Sequence, residues 1–299
     1  MPERLRESDF ARIRAQRAGD PASIASAFAR RRRRPLLAED SRLFIIAADH
    51  AARGALGVRD SSMAMASRYD LLQRLVTALA RPGVDGVLGT PDILEDLAIL
   101  GALDGKIAVG SMNRGGLRGA SFEMDDRFTG YDIESMIAAQ LDFAKLLIRV
   151  NLADRSTART LEACANAVSA AAAGGLPIML EPFMSEWVAG RIVNNLSTES
   201  VITSIAIASG LGVSSAYSWL KIPVVPDMER VLEATTLPTL LLGGDPNQRP
   251  EETYASWAHA LRLPGVHGLV VGRTMLYPPD DDVAGVVDTA ARLVHPTIQ

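Results

Sequence analysis

Lysine is rare in this chain, so its few positions are the first place to look for amine chemistry. The 299 residues include 31 basic side chains, of which only Lys106, Lys145 and Lys221 are lysine. An arginine guanidinium stays protonated at any working pH, whereas a lysine amine can lose its proton and react as a nucleophile. A chain that has moved so far toward arginine is expected to keep lysine where a neutral amine is needed.

All three lysines lie in or begin short apolar runs of strand length. Lys221 lies within WLKIPVV, and Lys145 begins KLLIRV, where strand alternation puts Lys145, Leu147 and Arg149 on one face. Burial lowers the pKa of a lysine, and a second cation nearby lowers it further, which activates the amine for Schiff-base formation with a ketone. We therefore predict that Lys221 is a nucleophile with Lys145 beside it. The alternative for Lys145 is a solvent-facing position below the strand.

Two carboxylates occur in similar surroundings. Asp49 ends the run LFIIAAD, and Glu181 lies inside PIMLEPF. A carboxylate in an apolar strand is costly unless it pairs with a cation or transfers protons. Glu181 is therefore predicted to act as an acid or base, and Asp49 either joins the same site or caps the loop that follows it.

Glycines and one arginine follow the last two apolar runs. One run ends at Gly243 and Gly244, and the other ends at Gly272 and Arg273. Glycines allow backbone N–H groups to approach a phosphate closely, and arginine adds a forked donor. These four residues are predicted to bind a phosphate. The long loop 113–132 is predicted to be either a lid or an oligomer contact.

The elements that must position these residues alternate along the chain. Apolar runs of strand length cover 43–49, 83–89, 106–112, 145–150, 177–183, 217–224, 238–244 and 266–272. Amphipathic helical patterns cover 69–81, 91–102, 132–143, 157–174, 198–210, 226–235, 250–262 and 281–294. Eight strand–helix units over about 250 residues are typical of an α/β fold, the (β/α)8 TIM barrel, in which chemistry lies at the carboxyl ends of the strands. The alternative, a doubly wound open sheet, lacks a GxGxxG after its first strand.

The chain is therefore divided into an N-terminal helical extension, 1–42, and a barrel, 43–299. The extension is predicted to form an extra helix that ends before Pro35. The arginine run from Arg30 to Arg34 would close this helix as a solvated basic face that complements the helix dipole, in preference to an anion-binding patch.

Composition excludes several classes of protein. The hydrophobic fraction is 48%, the net charge is -4, and Cys164 is the single cysteine. These values indicate a globular cytoplasmic protein with no membrane or nucleic-acid partner, and the N-terminus does not resemble a signal peptide. The four histidines show neither HxH nor HxxxH spacing, so we expect neither a metal nor another cofactor. No GxSxG motif is present.

Over roughly residues 43–275 the sequence resembles the class I, Schiff-base aldolases of the DeoC/LacD superfamily, including DhnA-type fructose-bisphosphate and tagatose-bisphosphate aldolases. The resemblance rests on AADHAARGAL at 47–56, GYD at 130–132, KLLIRV, the strand of Glu181, WLKIPVV, and the pair Gly272–Arg273. It implies that Lys221 is the Schiff-base lysine, that Glu181 transfers protons, and that Asp49 orients substrate hydroxyls. It also implies that Lys145 is the lysine of the fourth strand.

The resemblance implies a class I aldolase that reversibly cleaves a phosphorylated keto sugar or keto sugar acid to dihydroxyacetone phosphate and an aldehyde. It is closest to an aldolase-like branch often found beside myo-inositol catabolism, which suggests 2-deoxy-5-keto-gluconate 6-phosphate as substrate. Arg53, Arg114 and Arg118 would bind its carboxylate, or equally the second phosphate of fructose 1,6-bisphosphate. We expect a homo-oligomer. The alternatives are a non-covalent isomerase or epimerase using Glu181 and Asp49, and a catalytically silent sugar-phosphate-binding barrel.

Overall fold

The computed structural model describes residues 4–244 and 249–296. Its strands are β1 (Leu43–Ala47), β2 (Gly86–Gly89), β3 (Ile107–Ser111), β4 (Phe143–Val150), β5 (Ile178–Val188), β6 (Arg191–Asn195), β7 (Ser218–Ile222), β8 (Thr239–Leu242) and β9 (Val266–Val271). Its helices are α1 (Glu7–Gly19), α2 (Ala22–Arg30), α3 (Arg68–Ala80), α4 (Pro91–Ile99), α5 (Ile133–Ala138), α6 (Ser156–Gly174), α7 (Thr198–Ser209), α8 (Met228–Glu233), α9 (Pro250–Ala260), α10 (Arg273–Leu276) and α11 (Val283–Val294).

All strands except β6 form a closed parallel barrel. The order is β4-β3-β2-β1-β9-β8-β7-β5, and the pairing of β4 with β5 closes it. Helices alternate with the strands and cover the outside, so the predicted (β/α)8 TIM barrel is confirmed. None of the helices in the described part of the chain is both long and apolar enough to cross a membrane.

Alternation along each strand separates two apolar layers. Leu43, Ile45 and Ala47 of β1 belong to the cluster inside the barrel, whereas Phe44 and Ile46 pack toward the helices. Because side chains alternate across a strand, residues two apart share a face. Strand β4 therefore directs its charged residues inward, in line with Phe143, which belongs to the inner cluster.

Two features of the chain depart from the sequence predictions. Strand β5 continues past the predicted 177–183 to Val188 and forms an antiparallel hairpin with β6, which the sequence analysis did not predict. The helix predicted over 132–143 ends at Ala138, because β4 already begins at Phe143. Both departures concern where an element ends. The end of β5 is set by its pairing with β6, and the end of α5 is set by the start of β4.

The N-terminal extension is helical, as predicted, but it differs from the prediction in two respects. The extension forms two helices, and the second ends at Arg30, so most of the arginine run lies outside any helix. The run is also solvated only in part: Arg30, Arg32 and Arg33 are exposed, whereas the Arg31 side chain is only 2% exposed and pairs with Asp142 at 2.7 Å. Arg33 contacts the same carboxylate, and Arg34 pairs with Asp85.

These arginines attach the extension to the amino-terminal end of the barrel. Besides Asp142, Arg31 donates to the carbonyl oxygen of Lys106 at 2.7 Å. Asp142 in turn accepts from the backbone N–H of Ala108 in β3. Leu36 and Leu37, which follow the run, pack against the apolar cluster inside the barrel. The extension therefore closes the barrel at the end opposite to the carboxyl ends of its strands.

Replacing Arg31 with alanine is expected to lower the free energy of unfolding by about 3 kcal/mol, because it leaves a buried carboxylate with only one cation. Urea unfolding measures this difference. Arg30→Ala is the matched control, since Arg30 is exposed, and it should change the free energy by less than about 0.5 kcal/mol. Equal effects of the two variants would show that the Arg31 pair does not hold the extension in place.

Candidate active site

Four charged side chains meet inside the carboxyl end of the barrel, three of them from β4, β5 and β7 and the fourth, Asp49, from just after β1. Lys145 Nζ lies 3.1 Å from Asp49 Oδ2 and 2.6 Å from Glu181 Oε2. Lys221 Nζ lies 2.8 Å from Glu181 Oε1. The four side chains thus form a row of alternating charge, Asp49–Lys145–Glu181–Lys221, which we call the charge row.

Strand register brings the charge row together. Leu147 of β4 pairs with Glu181 of β5, so Lys145 and Glu181 lie two residues out of register and on the same inner face. In β7, Trp219 belongs to the inner apolar cluster, and alternation therefore directs Lys221 inward as well. The inward face predicted for Lys145 and Arg149 agrees with this geometry, and the solvent-facing alternative does not.

The charge row is buried, and each member is compensated by its neighbours. Burial alone would raise the pKa of Glu181, but Lys145 and Lys221 lower it to about 2. Burial would likewise raise the pKa of Asp49, but Lys145, His50 and Lys221 hold it well below its usual range. Burial opposes the charge on Lys145, yet Asp49 and Glu181 raise its pKa. Both carboxylates are therefore ionised at neutral pH.

Two residues beside Asp49 were not singled out from the sequence. Ser111, the last residue of β3, donates its hydroxyl to Asp49 Oδ2 at 3.0 Å. His50 follows Asp49, and its Nδ1 is buried without a hydrogen-bond partner among the described residues. Burial is the main cause that lowers the pKa of His50 to about 4, so this ring is neutral at pH 7. In the sequence, the one indication for His50 is its position next to Asp49, which ends an apolar run. No sequence pattern indicates Ser111.

The long loop after β3 is fastened across the mouth of the barrel. Arg149 at the end of β4 donates to Asp126 at 2.7 Å and to Glu123 at 3.0 Å. Arg53 donates to Asp126 at 3.0 Å. Glycine is required at position 116 of this loop, because a Cβ there would lie 2.3 Å from Asp126 Oδ1. Arg149 and Arg53 therefore hold the loop in position.

The predicted phosphate-binding residues lie on the other side of the mouth. Gly243 and Gly244 follow β8, and Gly272 and Arg273 follow β9. Glycine is needed at position 272, because a Cβ would lie 2.4 Å from the carbonyl oxygen of Ala47. Residues 245–248, which continue the first of these loops, lie outside the described residues.

A cavity of about 500 Å³ joins these groups. Ten of the predicted site residues line it: Asp49, Arg53, Arg118, Lys145, Glu181, Lys221, Gly243, Gly244, Gly272 and Arg273. Arg114 is the predicted residue that does not, because it turns away and donates to the carbonyl oxygen of Thr129 at 2.7 Å. Arg118, from the same loop, lines the cavity.

Some other ionisable side chains of the described residues lie outside this cavity. Lys106, the remaining lysine, precedes β3 and donates to the carbonyl oxygen of Val84 at 2.6 Å, far from the charge row along the strands. Across residues 4–244 and 249–296, no group of three or more His, Cys, Asp or Glu side chains is arranged to hold a metal ion.

Fold and site together define a (β/α)8 barrel protein with two lysines and a bridging glutamate in a cavity at the carboxyl ends of its strands. The chain belongs to the Cgl0159-like family, whose model matches residues 41–291. It is 64% identical to Cgl0159 from Corynebacterium glutamicum, whose crystal structure it matches with a TM-score of 0.96 over 98% of this chain and 99% of that one.

More distant structures share the fold. One is an archaeal fructose-1,6-bisphosphate aldolase with its catalytic lysine covalently bound to the carbinolamine intermediate (19% identity, TM-score 0.64, 91% of this chain and 99% of that one). Another is a fructose-bisphosphate aldolase from Slackia heliotrinireducens (14% identity, TM-score 0.67, 87% and 83%). The comparison with curated proteins found no match.

The pKa of Glu181 predicts how stability depends on pH. Its folded-state pKa of about 2 lies below the ordinary 4.5, so its ionised form stabilises the protein above about pH 4.5, and this contribution is lost as the pH falls toward 2. The difference in unfolding free energy between wild type and Glu181→Gln should shrink by roughly 2 kcal/mol from pH 6 to pH 3. Urea unfolding at several pH values measures it.

The control for this experiment lies on the same strand. Glu186 is exposed, so Glu186→Gln should differ from wild type by a nearly constant amount over this pH range. A pH-independent difference for Glu181→Gln would mean that Glu181 is not held ionised by the two lysines.

Proposed function

We propose that the protein is a class I aldolase that cleaves a phosphorylated keto sugar or keto sugar acid reversibly to dihydroxyacetone phosphate and an aldehyde. The observation that carries the proposal is the position of Lys221, whose Nζ lies inside the cavity 2.8 Å from the Glu181 carboxylate. A lysine can attack a ketone only as the neutral amine, and a carboxylate in hydrogen-bonding contact can take its proton.

The reaction begins at the ketone. Lys221 Nζ attacks the carbonyl carbon, and the carbonyl oxygen takes up a proton to give a carbinolamine. Glu181 is in contact with both lysines and passes the protons of this step. Protonation of the carbinolamine hydroxyl by the same group expels water and leaves an iminium.

Cleavage follows from the iminium. The hydroxyl on the second carbon beyond the iminium carbon gives its proton to the Glu181 carboxylate, its carbon becomes the aldehyde carbonyl, and the C–C bond breaks. The bonding electrons move into the iminium, which becomes an enamine. Protonation of the enamine and hydrolysis release dihydroxyacetone phosphate and restore the lysine. Because the iminium accepts the electrons, this scheme needs no metal ion.

The other members of the charge row have supporting roles in this scheme. Asp49 is ionised and accepts hydrogen bonds, which suits it to orient substrate hydroxyls. Lys145 is held as a cation between two carboxylates, so it keeps Glu181 ionised before the ketone binds, ready to accept a proton, and it stabilises negative charge that develops on oxygen. The aldolases that share the fold, one with a carbinolamine on its lysine, support the same reaction class.

Borohydride should trap the iminium on Lys221. With dihydroxyacetone phosphate and borohydride, in EDTA, we expect a stable adduct by intact mass spectrometry and Lys221 as the modified residue by peptide mapping. Lys221→Arg should stay folded and form no adduct, since a guanidinium does not form the imine.

Lys106→Arg is the matched control for trapping. Lys106 lies near the opposite end of the barrel, so the adduct should form as in wild type. An adduct on Lys145 or Lys106 would overturn the assignment of Lys221. Absence of any adduct, together with isomerisation or epimerisation of a ketose phosphate, would replace the aldolase proposal by non-covalent chemistry.

Arg273 and the three glycines are proposed to hold the substrate phosphate. Arg273→Ala should lower kcat/KM for phosphorylated substrates. The loss in transition-state stabilisation should be roughly 1.5–3 kcal/mol, the range for a hydrogen bond to a charged group. Unphosphorylated analogues should be affected much less. Arg230→Ala, which removes an exposed arginine paired with Glu199, should leave both rates unchanged. Equal losses for phosphorylated and unphosphorylated compounds would remove the phosphate role.

A further inference from the structure

The mouth of the cavity has a second cationic side, opposite the proposed phosphate site. In the closed strand order, β3 lies four strands away from β8 and β4 lies four strands away from β9, which is directly across an eight-stranded barrel. Gly244 and Arg273 follow β8 and β9, whereas Arg118 lies in the loop after β3 and Arg149 lies near the end of β4. A substrate that extends from the phosphate site across the charge row therefore reaches these arginines with its other end.

The charges on this side do not cancel. Five charged residues lie on this side, and we call them the Arg118 side: the cations Arg53, Arg118 and Arg149 and the carboxylates Glu123 and Asp126. Arg149 pairs with both carboxylates, and Arg53 pairs with Asp126. Among the described residues, these pairs leave the Arg118 guanidinium without an ion-pair partner. The Arg118 side thus carries an excess of one positive charge.

The backbone beside Arg118 is fixed, although its side chain is exposed. The N–H of Arg118 donates to the carbonyl oxygen of Arg53 at 2.9 Å. The next N–H, that of Gly119, donates to Glu123 at 2.8 Å. Glu123 is itself bound by Arg149, so the loop presents Arg118 to the cavity from an anchored position.

We infer that the substrate carries a carboxylate at the end opposite its phosphate, and that Arg118 binds this carboxylate and determines specificity for it. The inference rests on the aldolase proposal and names its substrate class, a phosphorylated keto acid. A carboxylate carries one negative charge, which the one excess positive charge neutralises, and the guanidinium fork matches its two oxygens. A second phosphate carries close to two charges and would leave negative charge uncompensated beside Glu123 and Asp126.

Addition in the synthetic direction tests this inference, because the acceptor aldehyde becomes the end of the substrate at Arg118. Wild-type protein is given dihydroxyacetone phosphate with glyoxylate, malonic semialdehyde or succinic semialdehyde, with neutral aldehydes of matched length, and with glyceraldehyde 3-phosphate. We expect at least one carboxylate aldehyde to exceed its neutral partner and glyceraldehyde 3-phosphate in kcat/KM by roughly tenfold or more. Arg118→Ala should remove this preference.

Arg127→Ala is the matched control, because Arg127 lies on the same loop, is exposed, and pairs with Asp125 away from the cavity. It should retain the preference for the carboxylate. Equal kcat/KM for carboxylate and neutral aldehydes, faster reaction of glyceraldehyde 3-phosphate, or an unchanged preference in Arg118→Ala would each overturn the inference.

Borohydride trapping distinguishes a failure of the Arg118 inference from a failure of the aldolase proposal on which it rests. Dihydroxyacetone phosphate alone should form the adduct on Lys221 without any acceptor. An adduct combined with no carboxylate preference overturns the role of Arg118 and leaves the aldolase proposal standing. Absence of both the adduct and addition to every acceptor overturns the two together.

Discussion

The row of alternating charges inside the barrel is the interaction on which the site depends. An unpaired charge in an apolar interior costs several kcal/mol, so Asp49, Lys145, Glu181 and Lys221 are compatible with burial only as neighbours. That requirement ties three strands and the segment after β1 together, because a shift of one residue in β4, β5 or β7 would move its charged side chain to the outer face. The contacts that compensate the buried charges also place the Glu181 carboxylate beside the Lys221 amine. The same ion pairs therefore serve both the packing of the barrel interior and the proposed chemistry.

The two ends of the barrel use arginine for different purposes. At the amino-terminal end, Arg31 is buried on Asp142 and holds the helical extension against the strands. At the carboxyl end, Arg149 and Arg53 fix the long loop after β3 by way of its carboxylates. A guanidinium can bridge two acceptors at once and stays charged when buried, which makes it suited to both tasks. Fixing the loop also sets where Arg118 meets the cavity.

The distribution of lysine shows what residue type can and cannot indicate. Of the three lysines, Lys145 and Lys221 lie in the charge row, where a movable proton is of use. Lys106 instead donates to a backbone carbonyl near the other end of the barrel, a role that arginine could also fill. Scarcity therefore pointed to a short set of positions, and the structure separated the two lysines in the cavity from Lys106, which also begins an apolar run.

The sequence by itself determined the barrel and the charge row, because alternation along a strand is a local property. Once Lys145, Glu181 and Lys221 lie on apolar strands of a parallel barrel, their inward direction follows from neighbours one or two residues away. The tertiary structure decided the rest. The burial of Arg31, the hairpin of β5 with β6, and the presence of Arg118 rather than Arg114 at the cavity depend on partners distant in sequence. Arg31 meets a carboxylate more than a hundred residues away, and the path of the β3 loop depends on Arg53 and Arg149 from two other segments. Such contacts leave no local pattern, since the chain specifies each partner separately and only folding brings them within reach.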